Sequence, residues 1–133
     1  MRIELTRKGD YGVRTMLALA RPDAGQMTAA RLAEATGVPP SLVPRLMGDL
    51  VRAGLVVNRR GRLGGYRIAR PPADISLLDV VEAIEGDGRR RTCVLLGGPC
   101  RREGPCEVHD AFFRAQEALF GSLASVSLDE VAR

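Results

Sequence analysis

Three cysteines and the only histidine of the chain lie at a spacing that suits metal binding. The pattern is Cys93-x6-Cys100-x5-Cys106-x2-His109. Thiolate sulfur and imidazole nitrogen are ligands for zinc and for iron–sulfur clusters, and either centre usually takes four protein ligands. Three cysteines and one histidine supply that number. The segment therefore predicts a metal centre, but the spacing does not identify the metal.

The residues around the cysteines are rich in Gly, Pro and Arg, which predicts an irregular loop over residues 86–106. Such a loop can bring three thiolates together, and its arginines would offset the charge of a cluster. An odd number of cysteines also argues against a disulfide framework. The alternative is three thiols that lie by chance in a surface loop beside a solvated histidine. A catalytic Cys106–His109 pair is disfavoured, because no third orienting group is visible.

A second set of candidate residues lies in the first half of the chain, where two short helices are expected around a tight turn. Thr28 is a suitable N-cap for a helix over residues 29–36, and Gly37 is a suitable stop. A second helix is expected from about residue 40 to 53, with Ser41 as its N-cap and Pro44 in its first turn. Its predicted buried face consists of Leu42, Val43, Leu46, Met47 and Leu50.

Residues 55–68 predict a β-hairpin whose loop is rich in arginine and glycine. Two helices followed by a basic hairpin are the layout of a winged helix-turn-helix, in which the second helix enters the major groove by its N-terminal end. Arg45 is then positioned to pair with a guanine. The alternative is a solvated basic loop beside two helices that only pack. The candidate DNA-binding residues are Ser41, Pro44, Arg45, Arg59, Arg60, Gly61, Arg62, Gly64, Gly65 and Tyr66.

Further helices are expected on either side of these elements. Thr6 is a possible N-cap for a first helix that includes residues 11–21, and Ser76 with Asp79 predicts a capping box for a helix ending at Gly86. A long helix with a broad apolar side is expected from about Glu107. Residues 127–130 predict the capping box of a last short helix. The predicted fold is mainly α, a winged helix-turn-helix with a small hairpin wing and a long C-terminal helix.

The distribution of charge agrees with a polyanionic partner. Residues 1–72 contain thirteen Lys and Arg against five Asp and Glu, a formal charge of +8, whereas residues 73–133 carry −4. We expect one structural domain, with a DNA-binding region at 1–72 and a metal-binding and dimerisation region at 73–133. The apolar runs are too short for a membrane span, and residues 1–10 do not resemble a secretory signal, so a cytoplasmic protein is expected.

Over nearly its whole length the chain resembles the IscR/NsrR-type, or Rrf2, family of winged-helix iron–sulfur transcription regulators. Each matching piece is weak alone, but their order is specific. One departure is the six-residue gap between Cys93 and Cys100, where five is usual. The matching pieces are residues 5–6, 10–14, 46–57, 60–66, 75–81 and 126–131, together with the three cysteines and His109.

The resemblance implies a homodimer that packs through the long helix and binds a near-palindromic DNA operator, and no enzymatic role is expected. It also implies that the affinity for the operator is controlled by an iron–sulfur cluster that senses redox state, nitric oxide or iron–sulfur status. A repressor is expected. His109 as fourth ligand implies a two-iron cluster, whereas Asp10 of the partner subunit implies a four-iron cluster, and the sequence contains both candidates. The alternative is a zinc-stabilised DNA-binding module without a sensing role.

Overall fold

The computed structural model describes residues 3–86 and 106–132 of the 133-residue chain. Cys93 and Cys100 lie outside the described residues. The described part is mainly helical, with one two-stranded antiparallel sheet. Its helices and strands are α1 (Arg7–Ala20), α2 (Ala29–Thr36), α3 (Val43–Arg52), β1 (Val56–Arg59), β2 (Gly65–Ile68), α4 (Leu77–Glu85), α5 (His109–Ala124) and α6 (Leu128–Val131).

The helix starts predicted from Thr6, Thr28 and Ser76 are confirmed. The side-chain oxygen of Thr6 accepts the Gly9 N–H at 3.0 Å, and that of Thr28 accepts the Arg31 N–H at 3.2 Å. Each bond satisfies one of the amide groups that have no partner within the first turn of a helix. Ser76 and Asp79 form the predicted capping box at the start of α4. Local side-chain chemistry therefore sets where these three helices begin.

The prediction of Ser41 as the N-cap of α3, the second helix of the predicted pair, is wrong. A 3₁₀ turn over Pro40–Leu42 leads into α3, and Leu42 rather than Ser41 occupies the N-cap position. In this turn the Val43 N–H donates to the Pro40 carbonyl, so a backbone oxygen accepts the hydrogen bond expected of the Ser41 hydroxyl. Pro44 still lies in the first turn of α3, where its missing N–H costs no hydrogen bond.

The buried face of α3 is as predicted except at Leu42. Residues of a 3₁₀ turn are spaced at three per turn rather than 3.6, which moves Leu42 away from the apolar stripe of the α-helix. Leu42 is accordingly 40% exposed. The remaining predicted residues, Val43, Leu46, Met47 and Leu50, are buried in the single apolar core.

The predicted hairpin forms, with Val56 opposite Ile68 and Arg59 opposite Gly65. Two further backbone bonds join Met27 to Tyr66, which fastens the second strand to the segment that precedes α2. Gly65 is required at this contact, because a Cβ atom there would lie 2.7 Å from the Met27 carbonyl oxygen. The hairpin is therefore attached to the helical body along one strand.

Helix α1 packs closely against α4. Glycines on α1 allow this approach: a Cβ atom at Gly12 would lie 2.6 Å from Cγ1 of Ile84, and one at Gly9 would lie 2.5 Å from the Glu85 carboxylate. The same carboxylate accepts the Thr6 N–H at 2.6 Å. The beginning of α1 is thus held against the end of α4.

The long helix α5 begins at His109, two residues after the predicted start, because the His109 N–H donates to the Cys106 carbonyl in a preceding turn. None of the residues of α5 is buried. The predicted capping box of Ser127 and Glu130 begins α6, in which Leu128 is buried in the core. Within residues 3–86 and 106–132, no helix has the length and apolar character that crossing a bilayer requires.

Candidate DNA-reading surface and metal-ligand segment

The N-terminal end of α3 presents polar and basic side chains to solvent. Ser41, Pro44 and Arg45 are exposed, while Val43 and Leu46 beside them are buried. This alternation follows from helical periodicity, since the apolar stripe turns toward the core and leaves the opposite face free. The 3₁₀ turn before α3 keeps Ser41 at the tip of the element rather than within the helix. The three predicted base-reading residues are therefore accessible together.

The tip of the hairpin, here called the wing loop (residues 59–65), carries exposed cations. Arg59, Arg60 and Arg62 are all exposed, and Arg67 is exposed on the adjoining strand. Gly61 adopts a positive φ of 113°, a conformation that residues with a Cβ atom rarely take. A Cβ atom at Gly64 would lie 2.5 Å from the Arg59 carbonyl oxygen. The glycines therefore permit a tight loop from which the guanidinium groups project.

Two residues that the sequence analysis did not single out hold the wing loop to the body. The Gln26 side-chain amide donates to the Leu63 carbonyl oxygen within the loop. Met27 exchanges two backbone hydrogen bonds with Tyr66, at 2.9 and 2.7 Å. No pattern in the sequence pairs residues forty positions apart in this way, so only the structure could identify them. The wing is therefore supported from the α1–α2 segment before any DNA is bound.

An ion-pair network connects α1 to α3. Lys8 Nζ lies 2.6 Å from Oδ2 of Asp49, and Arg52 also pairs with the Asp49 carboxylate. The hydrogen bond from Lys8 is the largest influence, and with Arg52 it holds the pKa of Asp49 below its ordinary value against the opposing effect of burial. The Asp49 side chain is only 17% exposed, so solvent screens this pair less than a fully exposed one. The network fixes the orientation of α3 relative to α1.

The structure describes three of the five candidate metal ligands. Cys106 is partly exposed immediately before α5, and His109 is exposed at the first position of that helix. Their backbones are joined by the 3.1 Å hydrogen bond from His109 N–H to Cys106 O. The His109 ring stacks on Phe113 with ring centroids 6.1 Å apart. One turn of chain thus brings a thiol and an oriented imidazole to the same end of α5.

Asp10 lies on α1 and has a partner within its own helix. The Arg14 guanidinium contacts both oxygens of the Asp10 carboxylate, at 3.2 and 2.9 Å. Two parallel contacts of this kind form the bidentate geometry typical of arginine and carboxylate. Across residues 3–86 and 106–132, no group of three or more His, Cys, Asp or Glu side chains is arranged to hold a metal ion. The remaining predicted ligands, Cys93 and Cys100, lie outside the described residues.

Helices α2 and α3 and the basic hairpin of β1 and β2 together define a winged helix-turn-helix protein. The profile of the Rrf2 family, described as an iron-dependent transcriptional regulator, matches residues 5–133. The chain therefore belongs to the Rrf2 family. Consistent with its family, it is a DNA-binding transcription regulator rather than an enzyme.

Individual relatives are similar over nearly the whole chain. The HTH-type transcriptional regulator IscR of Escherichia coli is 30% identical over 130 residues, which cover 97% of this chain and 80% of IscR. The protein aau3 of Rhizobium meliloti is also 30% identical, over 98% of this chain and 86% of its own length. Among solved structures, CymR, the global cysteine regulator of B. subtilis, superimposes with a TM-score of 0.81 at 25% identity, covering 98% of this chain and 97% of CymR.

We expect Asp49→Asn to lower the free energy of unfolding at neutral pH by about 1 kcal/mol, because it removes the carboxylate that pairs with Lys8 and Arg52. A carboxyl group whose pKa is lowered by folding stabilises the protein above its unfolded pKa, and this stabilisation is lost as the pH falls through the folded pKa. The difference between wild type and variant should therefore shrink below about pH 4. Urea unfolding of both proteins at several pH values measures this difference in the free energy of unfolding.

The matched control is Asp23→Asn, which removes an exposed carboxylate from the α1–α2 segment and should change stability little at any pH. An Asp49→Asn effect that is equally large at pH 3 and pH 7 would contradict the ion-pair interpretation.

Proposed function

We propose that this regulator is a homodimeric repressor whose affinity for a near-palindromic operator is controlled by an iron–sulfur cluster. The observation that carries the proposal is the joint exposure of two sets of groups. The base-reading end of α3 and the arginines of the wing loop face solvent, and at the start of α5 His109 is exposed and Cys106 is partly exposed. The IscR relative supports the cluster, since the two chains are similar along 97% of this one.

In the proposed complex, the N-terminal end of α3 lies in the major groove and the wing loop follows the adjacent backbone. Arg45 contacts base edges, which contributes about 1–3 kcal/mol of discrimination for a bidentate pair with guanine. Arg59, Arg60 and Arg62 contact phosphates or the minor groove, and the glycines at 61, 64 and 65 allow close approach. Ser41, Pro44 and Tyr66 complete the proposed interface.

A second copy of the chain is the proposed partner of α5. This helix of 16 residues carries three phenylalanines and two leucines, yet none of its residues is buried within one protomer. Phe113 is 43% exposed. An apolar helix face of this size usually packs against another protein surface. Two copies joined along α5 would present two reading helices, as a near-palindromic operator requires. We assign 1–72 to DNA binding and 73–133 to the cluster and the dimer, within one structural domain.

The donor chemistry at the start of α5 fits an iron–sulfur cluster. The partly exposed Cys106 thiol and the exposed His109 imidazole are one turn apart, and both groups ligate iron in such clusters. Cys93 and Cys100 would complete the set. A bound cluster supplies a redox-sensitive link between these four side chains. Stacking on Phe113 holds the His109 ring in a defined orientation, which lowers the entropy that ligation would cost.

For the fourth ligand we propose His109 rather than Asp10. Asp10 would have to give up two contacts with Arg14 before it could ligate a cluster in the partner subunit. Among the residues that the structure describes, His109 has no comparable ion pair to break, and its N–H is bonded to the Cys106 carbonyl. With His109 the proposed cluster contains two irons, and with Asp10 it would contain four.

The proposed route of control begins at the end of α4. Glu85 is the last residue of α4, and its carboxylate accepts the Thr6 N–H at the start of α1. Residues 87–105, which contain two of the proposed ligands, follow directly. A change in ligation that moved the end of α4 would therefore act on the first turn of α1, where Lys8 is paired with Asp49 of α3. Two reading helices whose spacing changes lose their match to half-sites one helical turn apart.

A zinc-stabilised module without a sensing role is the second candidate, because three thiolates and an imidazole are also a common zinc set. Metal analysis separates the two. Stoichiometric zinc with no visible absorbance after anaerobic isolation would replace the cluster proposal, whereas iron and acid-labile sulfide support it.

Arg45→Ala should change which duplexes are enriched from a random-sequence pool, because it removes a contact to base edges. Arg60→Ala should instead weaken binding to all duplexes, because a phosphate contact carries no sequence information. Sequencing of the enriched pools measures the first effect, and fluorescence anisotropy measures the second.

Arg70→Ala is the control, since Arg70 is exposed beside Asp79 and Glu82, away from the wing loop. Identical pools from Arg45→Ala and wild type would contradict the proposed docking.

His109→Ala should alter the absorption and Mössbauer spectra of protein purified without oxygen, because the proposed cluster loses a ligand. Asp10→Ala should leave both spectra unchanged. The reverse pattern would contradict His109 ligation and indicate a four-iron cluster that uses Asp10 of the other protomer.

A further inference from the structure

A cleft of about 430 Å³ lies between the first turn of α1 and the start of α3. It adjoins the base-reading surface, since Arg45 and Leu42 line one side of it. The other side is formed by α1. The lining residues are Arg7, Lys8, Tyr11, Leu42, Arg45 and Leu46.

The cleft combines an apolar floor with a cationic rim. Tyr11, Leu42 and Leu46 provide the floor, and Arg7, Lys8 and Arg45 provide the cations. The three cations are not equivalent, because the Lys8 ammonium is held 2.6 Å from the Asp49 carboxylate, which it shares with Arg52. Arg7 and Arg45 therefore supply the cations of the rim that this carboxylate does not hold, and Lys8 serves to align α1 with α3.

The sugar–phosphate backbone of DNA has the chemistry that this cleft complements. A deoxyribose ring offers an apolar face, and the phosphate beside it carries a negative charge that a guanidinium binds well. An α-helix that enters the major groove is flanked by backbone on both sides, because the groove is only about 12 Å wide. Arg7 and Arg45 both line the cleft, one from α1 and the other from α3, so a strand of backbone seated there would meet both guanidinium groups.

This occupant also accounts for the exposure of Leu42. The sequence pattern predicted Leu42 to be buried, yet it is 40% exposed at the cleft. Leu42 lies beside Arg45 in the lining of the cleft. Contact with a sugar would cover this apolar side chain when DNA is bound.

We propose that the cleft is a backbone-binding site, in which Arg7 contacts a phosphate of the strand flanking the major groove and Leu42 packs against the adjacent sugar. This inference rests on the docking of α3 proposed above and adds an anchor on α1 to it. Arg7 would act with no sequence preference, in contrast to Arg45. It would set the register of α3 in the groove.

Arg7→Gln tests the proposal, because it removes the charge and leaves a side chain of similar polarity. One lost phosphate contact should reduce the slope of log affinity against log salt by about 0.9, which corresponds to a loss of about eightfold at 0.1 M salt. The probe is the duplex that wild-type protein selects from a random-sequence pool. The selected sequence itself should not change. Arg7→Lys, which restores the charge, should recover the wild-type slope.

The matched control is Arg21→Gln, an identical charge change at the opposite end of α1, where Asp23 and Asp129 line the neighbouring surface. A helix of 14 residues separates the two positions by about 20 Å. Arg21→Gln should leave slope and affinity unchanged. Leu42→Ala should weaken binding without changing the slope, because it removes only an apolar contact.

Two outcomes would overturn the proposal in distinguishable ways. If Arg7→Gln matches Arg21→Gln in slope and affinity while Arg45→Ala still changes the selected sequence, α3 docks as proposed but the cleft does not bind the backbone. If wild-type protein binds no duplex at low salt, both the docking and the cleft proposal fail.

Discussion

The packing of α1 against its neighbours is the constraint on which the rest of the structure depends. Gly9 and Gly12 let α4 approach so closely that a Cβ atom at either position would clash with it. The Lys8–Asp49 ion pair fastens the other side of the same helix to α3. Helix α1 is therefore a rigid connection between the end of α4 and the helix proposed to read DNA. A change at one contact cannot be absorbed by loose packing, because the interface has no free space at these glycines.

This arrangement offers a physical route by which the proposed metal-ligand segment could act on the DNA-reading segment in one small domain. The three cysteines follow α4 in the sequence and His109 is the first residue of α5, so the proposed ligation would act on the two helices that border the segment. One of these contacts α1 through Glu85 and Thr6, and the other carries the surface proposed to join two copies. Both the orientation of each reading helix and the distance between the two helices of a dimer are then open to control. Such coupling needs a bistable element whose two states bind DNA differently.

Much of the fold followed from local chemistry in the sequence. The N-caps at Thr6, Thr28 and Ser76 form as expected because capping depends on residues three positions apart. The cap at Ser41 was mispredicted because two prolines favoured a 3₁₀ turn whose backbone oxygens replaced the hydroxyl. The support of the wing by Gln26 and Met27 and the pairing of Lys8 with Asp49 join residues about forty positions apart, and no local pattern encodes them. The cysteines and His109 were identified from residue type and spacing and Asp10 from the family resemblance, whereas the ion pair that occupies Asp10 needed the structure.

The most direct measurement of the central claim is operator affinity with and without the metal centre, for wild-type protein and for a variant with Cys93, Cys100 and Cys106 all replaced by alanine. Both proteins are prepared without oxygen, and the duplex is the one that wild type selects. The account predicts that removal of iron changes the affinity of wild type severalfold or more, and that the triple variant keeps one affinity in both preparations. Equal affinities of wild-type protein with and without its centre would contradict the account, even if DNA binding were intact.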